Sequence, residues 1–425
     1  MKISKIVEIP YHEKDQLKKF DFKKKVKKQN RLLMPLIWLL SFPEVFKRKT
    51  QITKVNMEPL KKEPYLLLCN HNAFFDFKVA TKAIFPRRAT YIVAIDGFIN
   101  REGIMREVGC FGKRKFIQDR YLISQIKRSL FDLKHICMIY PEARYSHVGT
   151  TSIMPESLGK LVKLLNVPVA TLITSGNHLS QPVWNLQKRN VQTEAKMTYL
   201  LSKEDIAAMS FQDINNKINE AFVYDDYRWQ QTNQIQIKEP FRAEGLEHVL
   251  YQCPHCLAEG KMTTKNDEIK CENCEKKWTL TQTGFLETND GKLEFNHIPD
   301  WYEWQRHQVK KAIEEGTYHF AHDVNINVLQ SSEGFYQIGK GKLIHNLEGF
   351  KVEGKSEDDF FTLKKEPLEN YSVHVEYNYF GRGHGISFSD LKNTYYMFSN
   401  DKSYLVTKVH FAVEELYKSL VNVDK

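Results

Sequence analysis

The sequence predicts an α/β protein followed by a small cysteine-bearing insert and a β-rich C-terminal region, and three observations carry that prediction. Between Tyr65 and Asn166 short apolar runs alternate with amphipathic stretches. Cys253, Cys256, Cys271 and Cys274 form two Cys-x2-Cys pairs. Beyond them, strand-like segments and turns alternate as far as Tyr404, ahead of one closing helix. With 425 residues, 42% hydrophobic and 27% charged, the chain suits roughly two to four globular domains. Twenty glycines and fourteen prolines exclude collagen-like and proline-rich scaffolds.

Taken in order, residues 1–29 are polar and lysine-rich, a solvated helix face or a frayed tail. Arg31 to Phe46 is apolar with Trp38 at its middle, and Lys47, Arg48 and Lys49 close it. A short apolar helix with a Trp and cationic ends suits a membrane interface, and a core-packing helix has nearly the same pattern. It is too short for the roughly 20 residues that span a bilayer. Tyr65–Cys69, Thr90–Ala94, His135–Tyr140, Val167–Thr174 and Val191–Leu201 read as strands. Phe77–Ile84, Tyr121–Leu133 and Pro155–Leu165 read as helices, the last with Pro155 at a position where a missing amide costs little. Ser202 and Asp205 form a capping box ahead of a helical stretch running on through Asn219. In the last third, Asp300–Glu315 reads as a helix, Gly339–Leu343 and Tyr371–Tyr379 as strands, and Thr407–Leu420 as the final helix. Several short strands closed by a helix fit a small barrel of pleckstrin-homology-like type. The expected domains are a basic segment with an apolar interfacial helix over 1–54, an α/β domain over 55–248, a cysteine insert over 249–282 and a β-rich domain over 283–425.

The formal net charge is +10, from 62 Lys and Arg against 52 Asp and Glu. Residues 1–54 hold thirteen Lys and two Arg against two Asp and three Glu, so this one segment accounts for the whole excess. A basic stretch around a non-spanning apolar helix predicts attraction to an anionic membrane surface, where each nearby cation contributes about 1 kcal/mol. It leaves little charge argument for nucleic acid. No apolar core or small-residue cleavage site marks the first thirty residues as a secretory signal, and seven cysteines, an odd number, favour a reducing compartment. The expectation is a cytoplasmic protein peripherally associated with the membrane.

The four paired cysteines, with fourteen residues between the pairs, predict a structural zinc ribbon: four thiolates around one tetrahedral ion leave no open position for chemistry. His255, inside the first knuckle, is expected outside the ligand set. Glu259, Asp267, Glu268, Glu272 and Glu275 make the insert unlike a basic nucleic-acid patch.

The sharpest motif is Asn70-His71-Asn72-Ala73-Phe74-Phe75-Asp76, just after the first predicted strand. A carboxylate five residues beyond a His can accept from one ring nitrogen and leave the other to take a proton, with the nucleophilic hydroxyl supplied by a substrate. The bland reading is an exposed His near a helix-capping Asp. Three further blocks follow in order: Gly109-Cys110-Phe111-Gly112-Lys113-Arg114, read as a turn bearing two cations; Tyr140-Pro141-Glu142-Ala143-Arg144-Tyr145-Ser146; and Val167-Pro168-Val169.

Together the four blocks resemble the glycerolipid acyltransferase family of the lysophosphatidic acid acyltransferase type, over about residues 30–220. The resemblance implies a mixed sheet flanked by helices. It also implies acyl transfer from acyl-CoA or acyl carrier protein to the free hydroxyl of a lysophospholipid such as 1-acylglycerol 3-phosphate, in phospholipid biosynthesis. His71 would be the general base and Asp76 its orienting partner. Asn70, Gly109, Arg114, Glu142 and Arg144 would serve the substrate, with Arg114 on the acceptor phosphate. The third block departs from the family's Glu-Gly-Thr-Arg-Ser: Ala143 replaces the Gly and Arg144 stands one residue early. That departure motivates an alternative, a catalytically degenerate lipid-binding or scaffold protein with a structural zinc ribbon.

Overall fold

The computed structural model describes residues 6–117, 120–357 and 359–423. It divides into two compact units, one of residues 21–113 and 118–239, the other of 1–20, 114–117 and 240–425. The basic segment 1–54 is therefore not one piece. Of its first part, Val7–Glu8 (β1) adds in parallel to a strand of the C-terminal unit, Tyr336–Asn346, and Tyr11–Gln16 forms a short 3-10 helix.

Residues 21–113 and 118–239 build a seven-stranded mixed sheet, helix by strand in the expected alternation. After α1 (Met34–Lys47) come β2 (Gln51–Val55), β3 (Leu66–Cys69), α2 (Phe75–Ile84), β4 (Ala89–Ala94), α3 (Glu102–Glu107) and β5 (Cys110–Lys113). Then follow α4 (Arg120–Lys127), β6 (Ile136–Ile139), α5 (Ser157–Leu165), β7 (Val169–Ser175), α6 (Asn177–Ser180), β8 (Glu194–Leu201), α7 (Lys203–Ala208), α8 (Phe211–Ala221) and α9 (Asp226–Thr232). The strand order is β2-β8-β7-β3-β6-β4-β5. All neighbours are parallel except β7 with β8.

Central β3 and β6 are continuously apolar and wholly buried, as strands covered on both faces must be. By the two-residue alternation of strand side chains, Leu66, Leu68, Cys137 and Ile139 fall into one core with Leu158 and Val162 of α5 and Ile214 and Ile218 of α8. Cys110–Lys113, read as a turn, is an edge strand. Its pairing with Tyr91–Ala94 supplies the hydrogen bonds that so short a polar segment cannot announce. The helical stretch read from Ser202 to Asn219 breaks at Met209, because Ser210 and Asp213 make a second capping box immediately after the first.

The apolar N-terminal helix α1 has one buried and one exposed face. Met34, Ile37, Ser41 and Val45 are buried, while Leu36, Leu39, Leu40 and Phe46 stay exposed. Glu44 fixes the helix, accepting from Arg48, Lys78 and Lys188 at 3.2, 2.7 and 3.0 Å. Burial opposes ionisation of its carboxyl, but these cations outweigh it and hold the group down at about 2. Among the described residues no helix is long and apolar enough to cross a membrane.

The other unit contains two sheets, antiparallel except where β1 pairs with Tyr336–Asn346. The cysteine insert forms β9 (Met262–Lys265), β10 (Glu268–Cys271), β11 (Lys277–Leu280) and β12 (Leu286–Glu287). Helix α10 (Ile298–Glu314) leads into β13 (Phe320–Leu329), β14 (Tyr336–Asn346), β15 (Gly349–Ser356), β16 (Asp359–Lys365), β17 (His374–Glu376), β18 (His384–Ser389), β19 (Thr394–Ser399) and closing helix α11 (Val406–Val423). The order β16-β15-β14-β13-β19-β18-β17 leaves β16 and β17 as edges. Tyr371–Tyr379, read as one strand, pairs only over β17.

Gly159 on α5 marks the tightest helix approach. A Cβ there would collide with the Phe211 carbonyl oxygen at the start of α8, and the Gly159 amide donates to Asn215 Oδ1 at 2.7 Å. Gly159→Ala is expected to destabilise the protein by about 1–3 kcal/mol, measured as a lower urea midpoint with unchanged slope.

Candidate active site and metal centre

His71 stands on the turn between β3 and α2, at the carboxyl end of a central parallel strand, where open α/β sheets form their ligand crevices. Its Nδ1 lies 3.1 Å from Asp76 Oδ2. A carboxylate can only accept, so Nδ1 donates and Nε2 carries the free lone pair. No hydrogen bond to Nε2 occurs among the described residues, and the side chain keeps 21% of its surface accessible. Tyr140 and Tyr145 pack on the imidazole, with ring centroids 4.2 and 4.0 Å away, which fixes its plane as well as its edge.

Asp76 is buried in the first turn of α2. Its Oδ2 also accepts from the Asn72 and Ala73 amides at 2.6 and 2.9 Å, and Oδ1 accepts from Asn177 Nδ2 at 2.8 Å. Four donors and the helix N-terminus compensate a charge that water cannot reach.

A second buried carboxylate braces the same turn. Glu142 Oε2 accepts from the His71 amide at 2.8 Å and Oε1 from the Ser152 amide at 2.7 Å, while the Tyr224 hydroxyl donates to Oε1 at 3.1 Å. Burial pushes its carboxyl up to about 7 despite these donors and the nearby Arg144 charge. The Ser146 amide donates to the His71 carbonyl at 2.7 Å, so the segment after β6 closes over the His turn from both sides.

The remaining predicted site residues are placed differently. Asn70 is fully buried and spends its carboxamide on β7: Nδ2 donates to the Thr174 carbonyl and Oδ1 accepts from the Thr174 amide, both at 2.9 Å. It faces the sheet rather than a substrate. Gly109 immediately precedes β5, beside Ala89 and Thr90, at the end of the sheet away from His71. Its φ of +86° and the nearby Ala89 carbonyl require the missing side chain. Arg114 belongs to the C-terminal unit, where its Nη2 donates to the Lys392 carbonyl at 3.0 Å. Arg144 is buried, with Nη1 donating to the Tyr145 carbonyl at 3.3 Å. Ala143, where the resembled pattern has Gly, takes a left-handed φ of +57°. The chain thus retains the Gly-like bend without the Gly.

Sequence reasoning missed Asn177, Tyr224 and the buried pair His178 and Asp226, whose backbone amide and Oδ2 meet at 3.0 Å. Burial pushes the His178 imidazole down to about 3 and the Asp226 carboxyl well up. The available signal was Ser175-Gly176-Asn177-His178, a Gly turn followed by polar residues directly after a buried strand.

The four paired cysteines do converge. Their Sγ atoms lie within 4.8 Å of one another, with Cys253 to Cys274 and Cys256 to Cys271 both at 3.7 Å. A tetrahedron with metal–sulfur bonds of about 2.3 Å needs sulfur separations of about 3.8 Å, so this donor set fits one metal ion. His255 lies outside it, with Nδ1 at 3.3 Å from Glu294. Glu294 also joins Lys276 at 2.9 Å and Trp278 at 3.3 Å beneath the knuckles.

No protein-family model matches the chain, and no curated protein matches it. Among solved structures, it is similar to the 1-acyl-sn-glycerophosphate acyltransferase PlsC from Thermotoga maritima, with a TM-score of 0.35 and 14% identity over 45% of this chain and 77% of that one.

Glu142 gives a pH-dependent expectation. Its folded carboxyl lies above the ordinary value of 4.5, so its contribution to stability is fully present below that value and is lost as pH rises through about 7. Relative to Glu142→Gln, the native protein should lose on the order of 3 kcal/mol between about pH 4.5 and pH 7.5, read from denaturation midpoints across that range.

Proposed function

We propose that the unit of residues 21–113 and 118–239 is an O-acyltransferase, with His71 as general base oriented by Asp76. The observation that carries this reading is the His71 imidazole itself: Nδ1 committed to a buried carboxylate, both flanks packed by tyrosines, and Nε2 accessible at the carboxyl end of β3. The donor would be a thioester, acyl-CoA or acyl carrier protein, and the acceptor a lysophospholipid of the 1-acylglycerol 3-phosphate type.

The chemistry follows from these groups. His71 Nε2 takes the proton of the acceptor hydroxyl as its oxygen attacks the thioester carbonyl. The tetrahedral intermediate then breaks its carbon–sulfur bond, and the imidazolium returns the proton to the departing thiolate. Asp76 stabilises the transient imidazolium without moving a proton, and Asn177, Asn72 and Ala73 keep that carboxylate aimed. Glu142 holds the backbone on both sides of the bend, so the base sits on a rigid turn. For the acceptor's anionic group, Lys113 at the carboxyl end of β5 is a half-buried cation without a partner among the described residues.

The exposed apolar face of α1, with Lys47 and Lys49 at its end, supports docking at an anionic membrane surface where such an acceptor resides. In the C-terminal unit the four thiolates would hold a structural zinc ion and tie the two knuckles of the insert into one small core.

A second reading has its own observation. Asn70, Arg114 and Arg144 are each engaged by protein groups, which fits a unit that binds lipid without turning it over. Purified protein incubated with mixed lysolipids and acyl donors, followed by mass spectrometry of the extract, separates the two: acylated product supports the enzyme, and binding without product supports the lipid-binding protein. His71→Ala should lower transfer by about 10²- to 10⁴-fold with an unchanged circular dichroism spectrum. Unchanged activity would remove the mechanism. Elemental analysis should find one zinc per chain, and Cys271→Ser should abolish it and lower the melting temperature.

A further inference from the structure

The parallel strands β3, β4 and β6 point the same way, so the residues leading into β4 and β6 lie at the end of the sheet opposite His71. There Arg87 and Arg88, Asp132, Lys134 and His135, together with Lys28, line a cavity of about 440 Å³. Four permanent cations face one carboxylate, and that carboxylate already pairs with Arg128 at 3.3 Å. Arg87 is partly committed, donating to the Leu60 and Glu63 carbonyls. Among the described residues, Arg88 has a single long bond of 3.4 Å to the Gln29 carbonyl. Lys28 and Lys134 make no ion pair among the described residues.

His135 supplies an independent observation. It is 97% buried, from its 3% exposure, and its Nε2 has no hydrogen-bond partner among the described residues. Burial and the charges of Arg88 and Lys28 push its imidazole below the ordinary range. Like charges gathered around a cavity repel one another, and a buried ring nitrogen without a hydrogen bond loses the partner that water gave it. One bound anion relieves both penalties.

We propose that this cavity is a binding site for a phosphate group, separate from the acyl-transfer site and independent of it. Arg88 presents a planar fork suited to two phosphate oxygens, Lys28 and Lys134 add charge, and His135 Nε2 donates once it is protonated by the anion's field. The same chemistry comes from a lipid headgroup or from soluble phosphate. The adjoining surface bears on the source: Phe85, two residues before Arg87, is 41% exposed and packs on Trp38 and Phe42 of α1, whose exposed leucines continue the apolar face.

The test uses the full chain with imidazole NMR and calorimetry in inorganic phosphate. Saturable binding should move the His135 titration to higher pH. Arg88→Gln with Lys134→Gln should weaken that binding at least tenfold, and Lys28→Gln, an exposed change with no effect on folding, severalfold. His71→Ala should leave it unchanged, so failure of the catalytic reading does not touch this one. A His135 titration indifferent to phosphate, or equal affinity in the double variant, would overturn the proposal. Vesicles then identify the source. Loss of binding to phosphatidic acid vesicles in the double variant, with competition by inorganic phosphate, assigns a headgroup. Unchanged vesicle binding beside lost phosphate binding assigns soluble phosphate.

Discussion

The Asp76 carboxylate is the constraint on which the rest of the site depends. It is 2% exposed, and an ionised group so placed persists only where donors replace its water. Those donors come from the turn after β3, from the imidazole of His71 and from Asn177 beyond β7. Satisfying one buried charge therefore locks together a loop, a helix start and a segment a hundred residues away. The orientation of His71 is a by-product of that requirement. The tautomer follows too, because every position around Asp76 demands a donor.

Glu142 is a second buried carboxylate at the same turn. It joins the His71 and Ser152 amides and the Tyr224 hydroxyl, yet burial leaves its carboxyl near neutrality, at about 7. Asp76 sits at the start of α2 and Glu142 on a bend after β6. The two carboxylates brace one turn, one through the side chain of His71 and the other through its backbone.

Much of this was legible in the sequence because it is local. The His-x4-Asp spacing places both residues within one turn, and continuous apolar runs such as Leu66–Cys69 and Ile136–Ile139 announce central strands. The two cysteine pairs announce their convergence through spacing alone. What was not legible depends on pairing at a distance. Cys110–Lys113 is a strand only because β4 lies beside it. Asn70 looks like a substrate ligand until Thr174 claims its carboxamide, and Asn177 looks like a loop residue until Asp76 reaches it. The division of residues 1–54 between two units has the same cause, since Val7 and Glu8 find their partners more than three hundred residues away. The single helix expected over 202–219 failed for a local reason: Ser210 offers a second cap that outcompetes continuation.

The central claim is that Asp76 holds His71 with Nδ1 protonated and Nε2 free to act as a base. Nitrogen NMR of His71 in the intact protein at neutral pH tests it most directly. The account predicts a ring proton on Nδ1 facing Asp76, and loss of that single tautomer in Asp76→Asn. A native His71 carrying its proton on Nε2, or one whose tautomer is unaffected by Asp76→Asn, would contradict it.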